Sequence, residues 1–255
     1  MGHHENLVFL AEMRHRRPMG SFEISPNLNI EVRSIGQSAE PMLVIDDFLT
    51  DPTELVDHAA KSEWTDLPPG GYPGQRAGLP RGYVQSVLRR LDGPIRDKLI
   101  PDPAKLGDFM CSFSMVTRKP ADLADMQRVP HIDVAMANRV AILHYLCDAT
   151  FGGTAFFRQD ATGFEQISPE NRASYSKARS ADIARLQAAH AYPDQDTPGY
   201  TRTSFVNARF NRVVAYRSFT LHSGIIDHPD ALVGDPRLGR LTANFFVDYE
   251  PVGGD

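Results

Sequence analysis

Residues 128–158 read RVPHIDVAMANRVAILHYLCDATFGGTAFFR: a histidine and an aspartate one residue apart, then an apolar run that ends in two glycines. A strand carries successive side chains to opposite faces, so His131 and Asp133 would leave the same face about 7 Å apart along the backbone. Such a pair suits a shared metal ion. The run after it, RVAILHYLC, is rich in β-branched and aromatic residues, as buried strands are. The same chemistry recurs in DFMCSFSMV, GTAFFR, TSFVNARF, RVVAYRSF and GRLTANFFVDY, separated by turn residues. Short strands at that spacing predict a barrel or a two-sheet jelly roll spanning residues 108–249.

Upstream, LNIEVRSI and PMLVIDDFL read as strands. A helix is expected next, capped by Thr50 or Asp51, with Pro52 in its first turn and an apolar stripe reaching Trp64. Residues 66–83, DLPPGGYPGQRAGLPRGY, are too rich in proline and glycine for regular structure and read as a loop, either a functional lid or a plain connection. YVQSVLRRLDGPIRDKL reads as a second helix, giving helical support over about residues 50–100. The Ala-, Arg- and Ser-rich segment at 165–195 has helical periodicity and reads as an insertion between strands. The fold class expected is therefore mainly β with flanking helices.

The 255 residues are 42% hydrophobic and 23% charged, with a net charge of −5, so no basic surface points to nucleic acid. No apolar run approaches the roughly 18 residues of a membrane helix. Two cysteines, Cys111 and Cys147, sit in apolar runs and read as buried thiols of a reducing compartment, taken as the cytoplasm. Residues 1–20 look like a leader, in part like a tag and protease-site linker, so His3 and His4 carry no metal-binding weight. The remainder, 21–255, reads as a single domain.

An HxD triplet alone is weak evidence for a metal. A second element is FTLHSGI, where His222 follows the strand-like RVVAYRSF and precedes an expected Ser-Gly turn. Two imidazoles and one carboxylate on one side of a cation form the facial triad of non-haem Fe(II), which leaves positions open for substrate and dioxygen. A third element is GRLTANFFVDY, where Arg240 and Thr242 share a strand face. The planar guanidinium fork holds a carboxylate bidentately and the hydroxyl adds a donor, a receptor for a dicarboxylic cosubstrate.

Taken together, PHIDV, HYLCDATFGGTAFF, NRVVAYRSFTLHSG and GRLTANFF resemble, in order, the motifs of the Fe(II)/2-oxoglutarate-dependent dioxygenases, in their prolyl-hydroxylase-like branch. The resemblance implies a double-stranded β-helix of the jelly-roll or cupin kind, with iron held by His131, Asp133 and His222. It implies 2-oxoglutarate and O2 as cosubstrates, succinate and CO2 as products, and hydroxylation of an amino-acid side chain or a small metabolite. Arg240 matches the basic residue that grips the far carboxylate, with Thr242 in place of the usual serine. Arg237 is a second candidate, less suited because it stands among turn residues. Cys147 occupies a position where the family commonly has asparagine.

Tyr145 is a candidate donor to the cosubstrate, or plain core; His144 alternates with it, so only one of the two faces inward. Asn138, Arg139 and Arg158 are candidates for the mouth, and Tyr72, Arg76 and Arg81 for an anionic or peptidic substrate. His58, His190 and His228 read as surface residues. Two other functions fit parts of the pattern: a cupin-type isomerase or hydrolase that uses the metal without 2-oxoglutarate, and a jelly-roll binding module without turnover. Neither nucleic acid nor membrane is an expected partner; a small-molecule or peptidic substrate is.

Overall fold

The computed structural model describes residues 22–186 and 191–252; the expectations for residues 1–20 and for His190 lie outside them. Among the described residues, eleven strands form two antiparallel sheets. The larger runs β1 (Ile30–Ile35), β2 (Glu40–Ile45), β9 (Arg212–Arg217), β6 (Arg139–Tyr145), β11 (Arg240–Pro251), β5 (Ala104–Val116), β4 (Gly74–Ala77) and β3 (Thr65–Asp66); the smaller runs β10 (His222–Ile225), β7 (Gly153–Gln159) and β8 (Tyr200–Asn207). From β5 onward the chain crosses repeatedly between the sheets, so that β5, β11, β6 and β9 face β10, β7 and β8. This is a double-stranded β-helix with flanking helices α1 (Thr53–Ala59), α2 (Arg81–Lys98) and α3 (Arg172–Arg185). No described helix is long and apolar enough to cross a membrane.

The central strands read as continuous apolar runs because the large sheet is covered on both faces. Val140, Ile142, Val213, Ala215, Leu241, Ala243, Phe245 and Val247 pack against Leu55, Tyr83, Val87, Leu88, Leu91 and Ile95 of α1 and α2. The alternate residues Ala141, Tyr145, Val214 and Tyr216 face the small sheet at Phe156 and Val206. Phe113, Phe156 and Phe245 are each fully buried, a contribution of roughly 1.5–3 kcal/mol apiece. Adjacent residues on β6 thus serve different layers: His144 lies on the helix side, bonded to Tyr83 and Asn211, and Tyr145 on the inner side.

Four expectations are corrected. Residues 66–83 are not all loop: β4 lies within them and pairs with β5 from Gly74↔Val116 to Ala77↔Phe113. Glycine permits this, since a Cβ at position 74 would stand 2.0 Å from the Met115 carbonyl oxygen. The first helix ends at Ala59, well before Trp64, whose indole donates to the Ala59 carbonyl (3.0 Å); Pro52 is its N-cap, and the Asp51 carboxylate accepts from the Thr53 amide (3.0 Å). His131 and Asp133 lie on no strand: only His131 forms an isolated bridge, to His222. The Ser-Gly after His222 is no turn but part of β10.

Candidate active site

The bridge between His131 and His222 assembles the site. Each backbone amide donates to the other residue's carbonyl at 2.8 Å, so the segment before Asp133 adds to the free edge of β10, whose other edge pairs with β7. The Asp133 amide then donates to the Ser218 carbonyl (3.0 Å). Two backbone anchors therefore fix the HxD segment where a full strand is missing. The two imidazoles lie 4.7 Å apart, ring centre to ring centre, and one potential ligand atom from each of His131, Asp133 and His222 lies within 4.8 Å of the others. His222 Nε2 is 3.8 Å from an Asp133 carboxylate oxygen.

Orientation of His222 follows from its other nitrogen. Nδ1 is 2.8 Å from the Thr220 carbonyl, which only accepts, so Nδ1 carries the proton and Nε2 presents its lone pair to the site. Tyr216, edge-on at 5.0 Å, holds the ring. Burial, reinforced by His222 and Arg179, pushes the His131 pKa well below that of free histidine, so the ring is neutral. Burial also raises the Asp133 carboxyl, opposed in part by His222; its side chain is 17% exposed. Two imidazoles and a largely desolvated carboxylate suit a divalent cation of the Fe(II) kind, and the cation would offset the cost of holding that carboxylate charged.

These residues open on a cavity of about 890 Å3, within the range of small-molecule sites. Alternation along β11 decides which residues reach it. Leu241, Ala243 and Phe245 turn to the helix-side core, while Arg240, Thr242, Asn244 and Phe246 line the cavity. Arg240 is 4% exposed. Its Nε and Nη2 donate to the carbonyls of Phe151 and Gly153 (3.1 Å each), and it meets no carboxylate among the described residues. Arg237, the other candidate, is exposed and paired with Asp57 at 2.7 Å, away from the cavity. Thr242 lies in the lining, its hydroxyl donating to the Ser114 carbonyl (3.3 Å).

Other sequence candidates are distributed differently. Tyr145 is fully buried and does not line the cavity; its hydroxyl lies 2.5 Å from that of Thr154, which does, so it stands one layer behind. Asn138 is taken up by the Tyr249 carbonyl and Arg139 by Asp248, so neither lines the mouth. Arg81 and Arg158 lie outside the lining too, whereas Tyr72 and Arg76 belong to it. His58 and His228 are exposed. Sequence reasoning missed Asn244, Phe246 and Tyr216, although the two-residue period that joins Arg240 to Thr242 extends to the first two. It also left Tyr175, Arg172 and Arg179 of α3 unnamed, because only tertiary packing lays that helix against the cavity.

A search of curated proteins finds no match. Among solved structures, the chain is similar to HygX from Streptomyces hygroscopicus with nickel and 2-oxoglutarate bound, at 16% identity and TM-score 0.45 over 84% of each chain. It is similar to the non-haem α-ketoglutarate-dependent epimerase SnoN from nogalamycin biosynthesis, at 14% identity and TM-score 0.42 over 84% of this chain and 83% of that one. It is also similar to a prolyl-4-hydroxylase from Pseudomonas putida, at 14% identity and TM-score 0.33 over 80% of this chain and 100% of that one. A family profile matches residues 26–247, and the chain belongs to that family, DUF6445, a family of unknown function.

Proposed function

We propose that the protein is an Fe(II)- and 2-oxoglutarate-dependent oxygenase that hydroxylates an amino-acid side chain or a small metabolite, releasing succinate and CO2. One observation carries the reading: His131, Asp133 and His222 converge in the same cavity as a buried arginine that has no acidic partner among the described residues. A buried guanidinium without a counter-charge is costly, and a dicarboxylate supplies what it lacks. His131, Asp133 and His222 would hold the iron, and Arg240 would grip the distal carboxylate, with the Thr242 hydroxyl beside it. Bound iron would supply dioxygen activation coupled to oxidative decarboxylation of the cosubstrate. Leu143, Phe246 and Tyr216 line the same cavity. The free thiols Cys111 and Cys147 support a reducing compartment, the cytoplasm.

The test is an anaerobic titration of metal-free protein with Fe(II), then with 2-oxoglutarate, followed by the visible charge-transfer band of the chelate. The band should appear and saturate at one equivalent. Arg240→Gln should bind iron normally yet lose roughly thirtyfold in 2-oxoglutarate affinity, the scale of a charge-assisted contact worth about 2 kcal/mol. Iron binding without the band in the unmodified protein would reject the cosubstrate and leave a cupin-type metalloenzyme.

A further inference from the structure

The cavity and the chain differ in charge. The chain carries a net −5, yet among the described residues the cavity is lined by Arg76, Arg172, Arg179 and Arg240 against a single acid, Asp133. On the oxygenase reading Asp133 serves the metal and Arg240 the cosubstrate. Arg179 is engaged by backbone: it donates to the Met126 carbonyl (2.9 Å) and, more weakly, to that of Pro130 (3.4 Å). Arg76 and Arg172 remain, and neither makes an ion pair among the described residues.

Arg76 is the more telling of the two. It sits on β4, opposite Ser114 of β5, with its guanidinium carbon 5.5 Å from the centre of the Tyr72 ring. Stacking on the ring holds the planar fork in place. Its Nε is shut off from solvent and has no hydrogen-bond partner among the described residues. A partly buried cation without an acidic partner among the described residues carries a desolvation cost that an oxyanion in the cavity offsets by charge. Ile132, Ile183 and Phe246 add apolar surface to the same cavity.

We infer that the substrate carries an oxyanion, a carboxylate or a phosphate, on an apolar body, and that Arg76 grips that oxyanion with Arg172 as a second cation. This rests on the oxygenase reading, in which Arg240 is reserved for 2-oxoglutarate. Arg76 is then a specificity residue separate from the cosubstrate anchor.

The test uses the full chain, metal-free and in the Arg240→Gln background, so that the cosubstrate anchor cannot itself capture the probe. Inorganic phosphate and acetate are titrated separately, and NMR line broadening of each anion reads binding. At least one should broaden saturably, and adding Arg76→Gln should weaken it tenfold or more, with Arg76→Lys between the two. A response to phosphate alone assigns a phosphoryl substrate; a response to acetate assigns a carboxylate. No saturable broadening by either anion, or broadening unchanged by Arg76→Gln in a folded protein, overturns the proposal. Should Arg76→Gln fail to fold, Arg76→Lys decides in its place. Failure of the oxygenase reading shows separately, as a missing charge-transfer band with Fe(II) and 2-oxoglutarate.

Discussion

His144 shows how completely one side chain is committed by its neighbours. Asn211 accepts from the Leu49 amide through Oδ1 and donates to the Leu49 carbonyl through Nδ2 (2.9 Å each), which fixes its amide orientation. His144 Nε2 must therefore donate to that oxygen (3.1 Å), leaving Nδ1 to accept from the Tyr83 hydroxyl (2.8 Å). Burial holds the ring neutral and pushes its pKa down to about 4. Between that value and the ordinary histidine pKa the unfolded chain binds more protons, so stability rises with pH across the window and is fully present above it. Acidification from about pH 6.5 to 4 should withdraw on the order of 3 kcal/mol through this residue. His131, depressed for the same reason, adds to the loss. His144→Gln keeps a donor and an acceptor but does not titrate. Urea midpoints across that range should flatten in the variant, and an unchanged pH dependence would remove His144 from the account.

Among the elements, β7 is entered through a tight passage. Gly152 has φ +81°, in the left-handed region, and a Cβ on Gly153 would stand 2.1 Å from the Val206 carbonyl oxygen. The glycine pair lets β7 enter between β8 and β10, and the Gly153 carbonyl then accepts from Arg240. Gly153→Ala should destabilise the protein by about 1–3 kcal/mol in denaturant unfolding and, on the oxygenase reading, weaken 2-oxoglutarate binding in the same variant. Helix α3 depends on a different link, the Arg179 bonds to the segment that leads into His131. Arg179→Gln should speed amide exchange in both α3 and residues 126–131 by roughly tenfold, as expected for losing charge-assisted bonds worth about 1.5 kcal/mol. Faster exchange in α3 alone would show that the segment before His131 is held independently.

Across the molecule, metal binding and stability should be linked, because the three candidate ligands come together only in the folded chain. His131 and Asp133 precede β6, and His222 opens β10 after three further strands. Mn(II) at a hundredfold excess over its dissociation constant should add about 2.7 kcal/mol, a rise of roughly 5–10 °C in Tm for a chain of this size. Asp133→Ala should abolish that rise, and an equal rise in the variant would place the ion elsewhere. How much of this was legible in the sequence follows from range. The strand runs, α2, the helical insertion, the HxD pair, His222 and the Arg240–Thr242 face all rest on residues a few positions apart, where backbone period and side-chain chemistry decide. That Arg240 stands on a strand and Arg237 in a turn was legible for the same reason. What the tertiary structure alone decided depends on long-range pairing. It turned a Pro- and Gly-rich stretch into β4, held the HxD segment by one bridge and one further backbone bond, and placed Tyr145 behind the cavity wall. It also laid α3 against the cavity and kept Tyr72 and Arg76 there but not Arg81, because which charges and donors are buried together is set by neighbours that adjacent residues do not reveal.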